Sequence, residues 1–364
     1  MTDTTLIWLR AESKTGEHRA PLTPSDAARL VELGFDIRVE ESEQRVFEDT
    51  AFAAAGCRLE TSGSWRDAPD HAFILGIKEL PDESEPLRHR HIYFGHAYKG
   101  QPGWKDLLNR FESGSGVLLD LEYLTDESGR RLAAFGFWAG FAGAALGVRL
   151  WAGRQNEGPD FKLSPQRPAA NQQNLLATIK TRLGKIPEDR ARAPKAIVIG
   201  ALGRCGRGAV SLFEKLELEC TRWDIGETAI GGPFAELIDY DIVVNTVLLN
   251  QPIPPFLTPE LIERPQRRLG IIADVSCDPG NPGNPLPLYD HVTTFQQAAI
   301  RVIDSDNPLD IIAVDHLPSL LPMESSMDFS SQLTPLLETL PDGSDAWHRC
   351  EQHYRTHAAE ISTS

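Results

Sequence analysis

Short apolar runs recur along the chain, and most of them end on glycine or on a charged residue. In the first third, the runs at 6–9, 35–39, 72–77, 92–95 and 116–121 predict buried strands. Between the first two, Thr23 and Pro24 open a helix that runs to Leu33 and stops at Gly34. A second helix, through 52–55, stops at Gly56. The alternation returns further on, with strands at 196–199, 220–223, 242–246, 269–274 and 311–314. Helices are predicted from 207 to about 216 and after Thr258-Pro259. A polar, Pro-containing stretch from 156 to 194 holds one helix near 174–183. The tail predicts two more, at 332–340 and 347–361, and Leu333, Leu336, Leu337 and Leu340 form an apolar face that needs burial. Strands alternating with helices in this way predict an α/β chain with two doubly wound parallel sheets.

The stretch from Leu132 to Val148 carries no charge and is rich in Ala, Gly, Phe and Trp. It reaches only the lower end of the ~17–25 residues that span a bilayer. Gly136, Gly140, Gly143 and Gly147 line one side, which permits close backbone contact. A helix buried between two domains is the expectation.

Two groups of residues carry candidate chemistry. The first begins at the strand 196–199, which runs into Gly200-x-x-Gly203-x-x-Gly206 and a helix. Glycine permits a tight turn and close approach of a ligand, and the free N–H groups of the next helix attract a pyrophosphate. Asp224 follows Gly203 by 21 residues, at the tip of the second strand. A carboxylate there accepts the ribose hydroxyls of NAD and repels a 2′-phosphate, while Arg222 is expected to point elsewhere. An α/β turn with an ordinary surface Asp gives the same pattern.

The second group lies at the ends of the early strands, where a parallel sheet binds its ligands. Those ends present Lys78 with Glu79, His96 and Glu122, joined by the loop arginine Arg19. Taken singly, Lys78-Glu79 also reads as a solvated turn and His96 as the partner of a backbone carbonyl. The loops 278–287 and 315–322 also follow strands and fall on the ligand edge. In the tail, Cys350, His353 and His357 have a spacing a metal can use, but no second ligand pair lies near; a solvated helix face is expected, and no metal.

Composition narrows the partners. A net charge of −16 argues against nucleic acid and against an anionic membrane surface. Five scattered cysteines without a C-x-x-C pair read as reduced thiols of a cytoplasmic protein, and the polar first residues give no secretory signal.

The chain resembles the NAD-dependent, lysine-forming saccharopine dehydrogenases, relatives of alanine dehydrogenase. The resemblance rests on Leu9-Arg10-Ala11-Glu12-Ser13-Lys14, Glu17-His18-Arg19-Ala20, Gly76-Ile77-Lys78-Glu79 and His96-Ala97-Tyr98-Lys99. It continues through 129–137, 141–149, Gly200-Ala201-Leu202-Gly203-Arg204-Cys205-Gly206, Gly231-Gly232-Pro233-Phe234 and 315–322. It implies two Rossmann-like doubly wound domains with the active site in the cleft between them: a catalytic domain of 1–134 plus 323–364, and an NAD-binding domain of 135–322. The implied reaction is the reversible oxidative deamination of saccharopine to L-lysine and 2-oxoglutarate, by a monomer or weak homo-oligomer.

By the same resemblance, Lys78 is the base for the secondary amine and His96 the acid–base group for water addition and lysine release. Arg19 and Arg131 anchor carboxylates, with Gln101 and Phe135 beside them, and Glu79 and Glu122 support. Arg130, Gly203, Arg204, Asp224, Thr228, Val275, Val314, Asp315, His316 and Leu317 surround the dinucleotide. Thr246 and Leu248 stand where family members carry Cys and Tyr. Another opine-type or amino-acid dehydrogenase, or a non-catalytic NAD-sensing module, are the alternative readings.

Overall fold

The computed structural model describes residues 4–81, 83–247, 253–281 and 283–362. Its first sheet is built from β1 (Leu6–Leu9), β2 (Asp36–Glu40), β3 (Arg58–Glu60), β4 (Phe73–Leu75), β5 (Arg90–Tyr93) and β6 (Val117–Asp120). The helices α1 (Pro24–Glu32), α2 (Asp49–Ala54) and α3 (Trp104–Gly114) connect them. All pairings are parallel, in the order β3-β2-β1-β4-β5-β6. The order reverses between β1 and β4, so their connections leave to opposite sides and open a crevice at the carboxyl ends. Capping at α1 is as its sequence dictates: the Thr23 hydroxyl accepts the Asp26 N–H, and Pro24 takes the first turn.

The second sheet opens with two helices, α4 (Gly136–Glu157) and α5 (Gln172–Leu183). It then alternates β7 (Ala196–Ile199), α6 (Arg204–Lys215), β8 (Cys220–Trp223), α7 (Ile225–Thr228), β9 (Ile242–Asn245), α8 (Pro259–Ile262) and β10 (Ile271–Asp274). Strands β11 (Ile300–Ile303) and β12 (Leu309–Ile312) complete it in the order β11-β12-β10-β9-β7-β8, with β11 antiparallel at the edge. Here the reversal falls between β7 and β9.

The charge-free stretch forms the first half of α4, which starts at 136 and runs nine residues past Val148. It packs on α6, β9 and β10. The α4–α6 crossing is closer than side chains permit: a Cβ at Gly140 would overlap the Cys205 carbonyl, and one at Gly208 would overlap the Phe137 carbonyl. Among the described residues, no helix is long and apolar enough to cross a membrane.

The tail folds as α9 (Pro322–Leu337) and α10 (Asp345–Ser362). By contacts the chain divides into two units, Met1–Ala134 with Pro322–Ser364, and Phe135–Leu321. Helix α9 begins ten residues before the expected 332. Apart from Phe329, its first turns bury Ser325, Ser326 and Ser330 in place of large apolar residues, so no hydrophobic period announces them. Those serines replace sheet partners for the N-terminal loop: Ser326 Oγ accepts the Ala20 N–H at 2.9 Å and Ser330 Oγ the Thr23 N–H at 3.0 Å. Helix α10 packs on β6 and α3.

Candidate active site

Charge fills the crevice between β1 and β4. Glu12 accepts two successive amide hydrogens beyond β4, Ile77 N–H on Oε1 at 2.6 Å and Lys78 N–H on Oε2 at 3.0 Å. Arg10 donates to the Lys78 carbonyl and, at 3.3 Å, to Glu12. Nearby, Arg19 is gripped by Glu17, with Nε to Oε1 at 2.8 Å and Nη2 to Oε2 at 2.6 Å. Burial lowers the pKa of Lys78; Arg19 and Lys14 add to the effect, and Glu79 and Glu17 oppose it without cancelling it. Burial also acts on Glu17, in the raising direction, but Arg19 holds the carboxylate below its ordinary range.

His96, beyond the end of β5, has a left-handed backbone with φ of 50°. Its ring lies between two carboxylates, Nε2 at 3.9 Å from Glu79 Oε1 and Nδ1 at 3.9 Å from Glu122 Oε2. Burial would raise the pKa of Glu122, yet Lys99 (Nζ to Oε1, 2.7 Å), Arg131 and His96 keep it low. Gln101 accepts the Lys99 N–H at 2.7 Å. Arg131 bridges to Thr125, exposed Arg130 pairs with Asp126 at 3.1 Å, and buried Phe135 precedes α4. Lys78, Glu79, His96, Glu122 and Arg19 thus share one rim.

In the second unit, the crevice between β7 and β9 holds the glycine turn. Gly200 takes φ of +82°, which a Cβ would strain. Thr246 closes the turn, its hydroxyl donating to the Ile199 carbonyl at 2.8 Å and the Gly200 carbonyl at 3.1 Å. Leu248 lies outside the described residues. Helix α6 starts at Arg204, three residues before the expected 207, because Gly203 serves as its N-cap. Gly206 then sits in the first turn, where a Cβ would overlap the Gly200 carbonyl. Cys205 forms no disulfide among the described residues.

At the tip of β8, Asp224 caps α7 and reaches back to the glycine turn, with Leu202 N–H on Oδ2 at 2.8 Å and Ile225 N–H on Oδ1 at 2.9 Å. Arg222 is engaged elsewhere, with Glu214 at 2.7 Å. Thr228 is buried and donates to the Asp224 carbonyl at 2.9 Å. Val275 bonds to Asn245 beyond β9 and β10, Val314 bridges to Thr293, Asp315 pairs with His316, and Leu317 starts a short turn against α4. A tight glycine turn, a helix N-terminus and a carboxylate at the next strand tip fit a dinucleotide.

Residues 8–142 match the family described as alanine dehydrogenase/PNT, N-terminal domain. A saccharopine dehydrogenase [NAD(+), L-lysine-forming] from Yarrowia lipolytica is 46% identical over 368 residues, covering 99% of this chain and 100% of the relative. The enzyme of that name from Emericella nidulans is 46% identical over 366 residues, covering 98% of each. The chain belongs to the saccharopine dehydrogenase family. A solved L-alanine dehydrogenase shares the fold, with a TM-score of 0.62 at 16% identity over 95% of this chain and 93% of that one.

Two features of this saccharopine dehydrogenase family member escape sequence reasoning. Arg10 and Glu12 bind Lys78 through its backbone, and no spacing rule links positions 66 and 68 residues apart; the motif Leu9-Arg10-Ala11-Glu12 marked both residues without giving this role. The tail histidines do not lie on a solvated face. Cys350 is buried and donates to the Asp120 carbonyl, and His353 stacks on Tyr123 at 3.7 Å between ring centroids. Packing of α10 on β6 and α3 draws that side of the helix inward, and burial, with His357 adding to it, lowers the His353 pKa to about 4.

Proposed function

We propose that the chain catalyses the reversible, NAD-dependent oxidative cleavage of saccharopine to L-lysine and 2-oxoglutarate. Bound NAD would supply the hydride acceptor for the carbon that carries the secondary amine. Lys78 removes the amine proton. Its lowered pKa raises the fraction of free amine near neutrality, which a general base requires. His96 delivers and takes protons as water adds to the imine and lysine departs, and Glu79 and Glu122 hold its ring between them.

Arg19 and Arg131 bind the substrate carboxylates in forked pairs, and Gln101 and Phe135 are the further substrate-binding residues. Glu17 aligns the Arg19 guanidinium before substrate arrives. Arg130, Gly203, Arg204, Asp224, Thr228, Val275 and residues Val314, Asp315, His316 and Leu317 hold NAD. Asp224 takes the ribose hydroxyls.

One observation carries the reading: a half-buried lysine beside a buried arginine at a sheet crevice, on the same rim as a histidine flanked by two carboxylates. The relatives' shared name supplies the substrate. The test is NADH formation from saccharopine and NAD, with alanine and other opines as controls. Turnover of saccharopine well above every control is expected; a preference for alanine or another opine would overturn the substrate.

A further inference from the structure

Lys78 stands just past the end of β4, where sheet bonding stops. The last sheet-like contacts are Gly76 N–H to the Ile92 carbonyl at 2.9 Å and Phe94 N–H to the Ile77 carbonyl at 3.1 Å. The amides of Ile77 and Lys78 bond instead to one carboxylate, Glu12, and the Lys78 carbonyl bonds to Arg10. Both side chains are buried, at 2% exposure for Arg10 and 6% for Glu12, and they pair with each other. The chain also makes room for them. A Cβ at Gly76 would stand 2.6 Å from the Arg10 Cζ.

We propose that Glu12 and Arg10 are the positioning residues of the base, holding the Lys78 peptide by its N–H and its carbonyl so that the side chain enters the site from a fixed root. The proposal rests on the reading of Lys78 as base. The register of β1 on β4 does not need this pair, because three residues of each strand and the Arg10 N–H to Leu75 carbonyl bond already set it. Charge-assisted bonds from one buried carboxylate to two successive amides exceed what a turn requires. A lysine side chain has four rotatable bonds, so the place of its Nζ is only as well defined as the peptide from which it starts.

Glu12 acts through the backbone and not through its charge on the amine. The groups that move the Lys78 pKa are Arg19, Glu79, Lys14 and Glu17, after burial itself. A change in the titration of Lys78 on altering Glu12 therefore reports a change of place.

Glu12→Gln keeps the size of the side chain but retains one acceptor for two amides, and Glu12→Asp keeps the charge without the reach. Both are expected to lower kcat on saccharopine by roughly ten- to a hundredfold. The KM for saccharopine and the Kd for NAD should stay within about twofold. The limb of the kcat–pH profile that reports the base should move to higher pH as the loosened amine gains water. Amide-resolved hydrogen exchange on the unsubstituted protein supplies a second measurement that needs no variant, and slow exchange at Ile77 and Lys78 is expected. Fast exchange there, or Glu12→Gln with unchanged kcat and pH profile beside an inactive Lys78→Met, would overturn the clamp alone. Normal turnover in Lys78→Met would overturn the base and the clamp's role together.

Discussion

Asp224 uses both carboxylate oxygens on backbone amides at the tip of β8, which fixes the group in the place where the proposed reading puts a ribose. The same charge repels a 2′-phosphate, and Arg222, two residues away, is tied to Glu214. Wild-type protein should therefore prefer NAD to NADP, and Asp224→Ala should narrow the ratio of kcat/KM values; equal use of both by the wild type would contradict the assignment. In the first unit, on the proposed mechanism, Lys78→Met removes the proton acceptor and His96→Gln the shuttle, and each should lower kcat by roughly 10²–10⁴-fold. The double variant should lose less than the product of the two, with NAD affinity unaltered, since neither residue lies in the glycine-turn unit. Because the Lys78 pKa is lowered, kcat for oxidation should rise with pH and level off below the ordinary lysine value near 10.5. Near-normal kcat in both single variants would remove them from the mechanism.

At the scale of elements, β5 sends His91 wholly into the interior, where neither ring nitrogen has a partner among the described residues. Trp65 and Phe111 meet the ring edge-on, at 5.2 and 5.4 Å between centroids. Burial, with His89, Arg10 and Arg110 adding to it, puts the pKa well below 6.5. The unfolded chain therefore takes up a proton that the folded one refuses. Stability from this group is complete above pH 6.5 and is lost as pH falls below it, by at most about 1.4 kcal/mol per pH unit. Melting temperatures at pH 7.5 and 5.5 should diverge less in His91→Phe than in the parent; equal divergence would show the proton to be carried elsewhere. The alternation of strands and helices was legible from apolar runs and caps such as Thr23-Pro24, and so was the glycine turn with its acid. Strand β3 (Arg58–Glu60) was not, because it is an exposed three-residue edge, and β11 is an equally half-exposed edge strand. Helix α3 begins and ends on left-handed residues without a side-chain cap, which removes the usual punctuation. In the site, Lys78, His96 and Glu122 were readable as strand-end residues, whereas the backbone bonds of Glu12 depend on tertiary approach and leave no periodic trace.

Across the whole molecule, the first unit is assembled from both ends of the described chain. Tyr354 donates to the Gly116 carbonyl, Arg90 pairs with Glu351 at 2.6 Å, and Arg349 donates to the Thr125 carbonyl. Cutting after Pro322 removes nearly all of α9 and the whole of α10, and should bare the core that buried Phe329, Leu333, Leu337 and Trp347 now cover. Insoluble or molten protein is expected by near-UV circular dichroism and dye binding; a soluble, cooperatively unfolding and active truncation would show the tail to be an appendage. The split also orders events on the ribosome. The first sheet emerges with one flank bare, and the segment that covers it follows only after Phe135–Leu321 has been made. At ~5–20 residues per second that wait is on the order of ten to forty seconds. The second unit, continuous in sequence, is free to fold during that interval, so the half of the protein translated first is the half completed last.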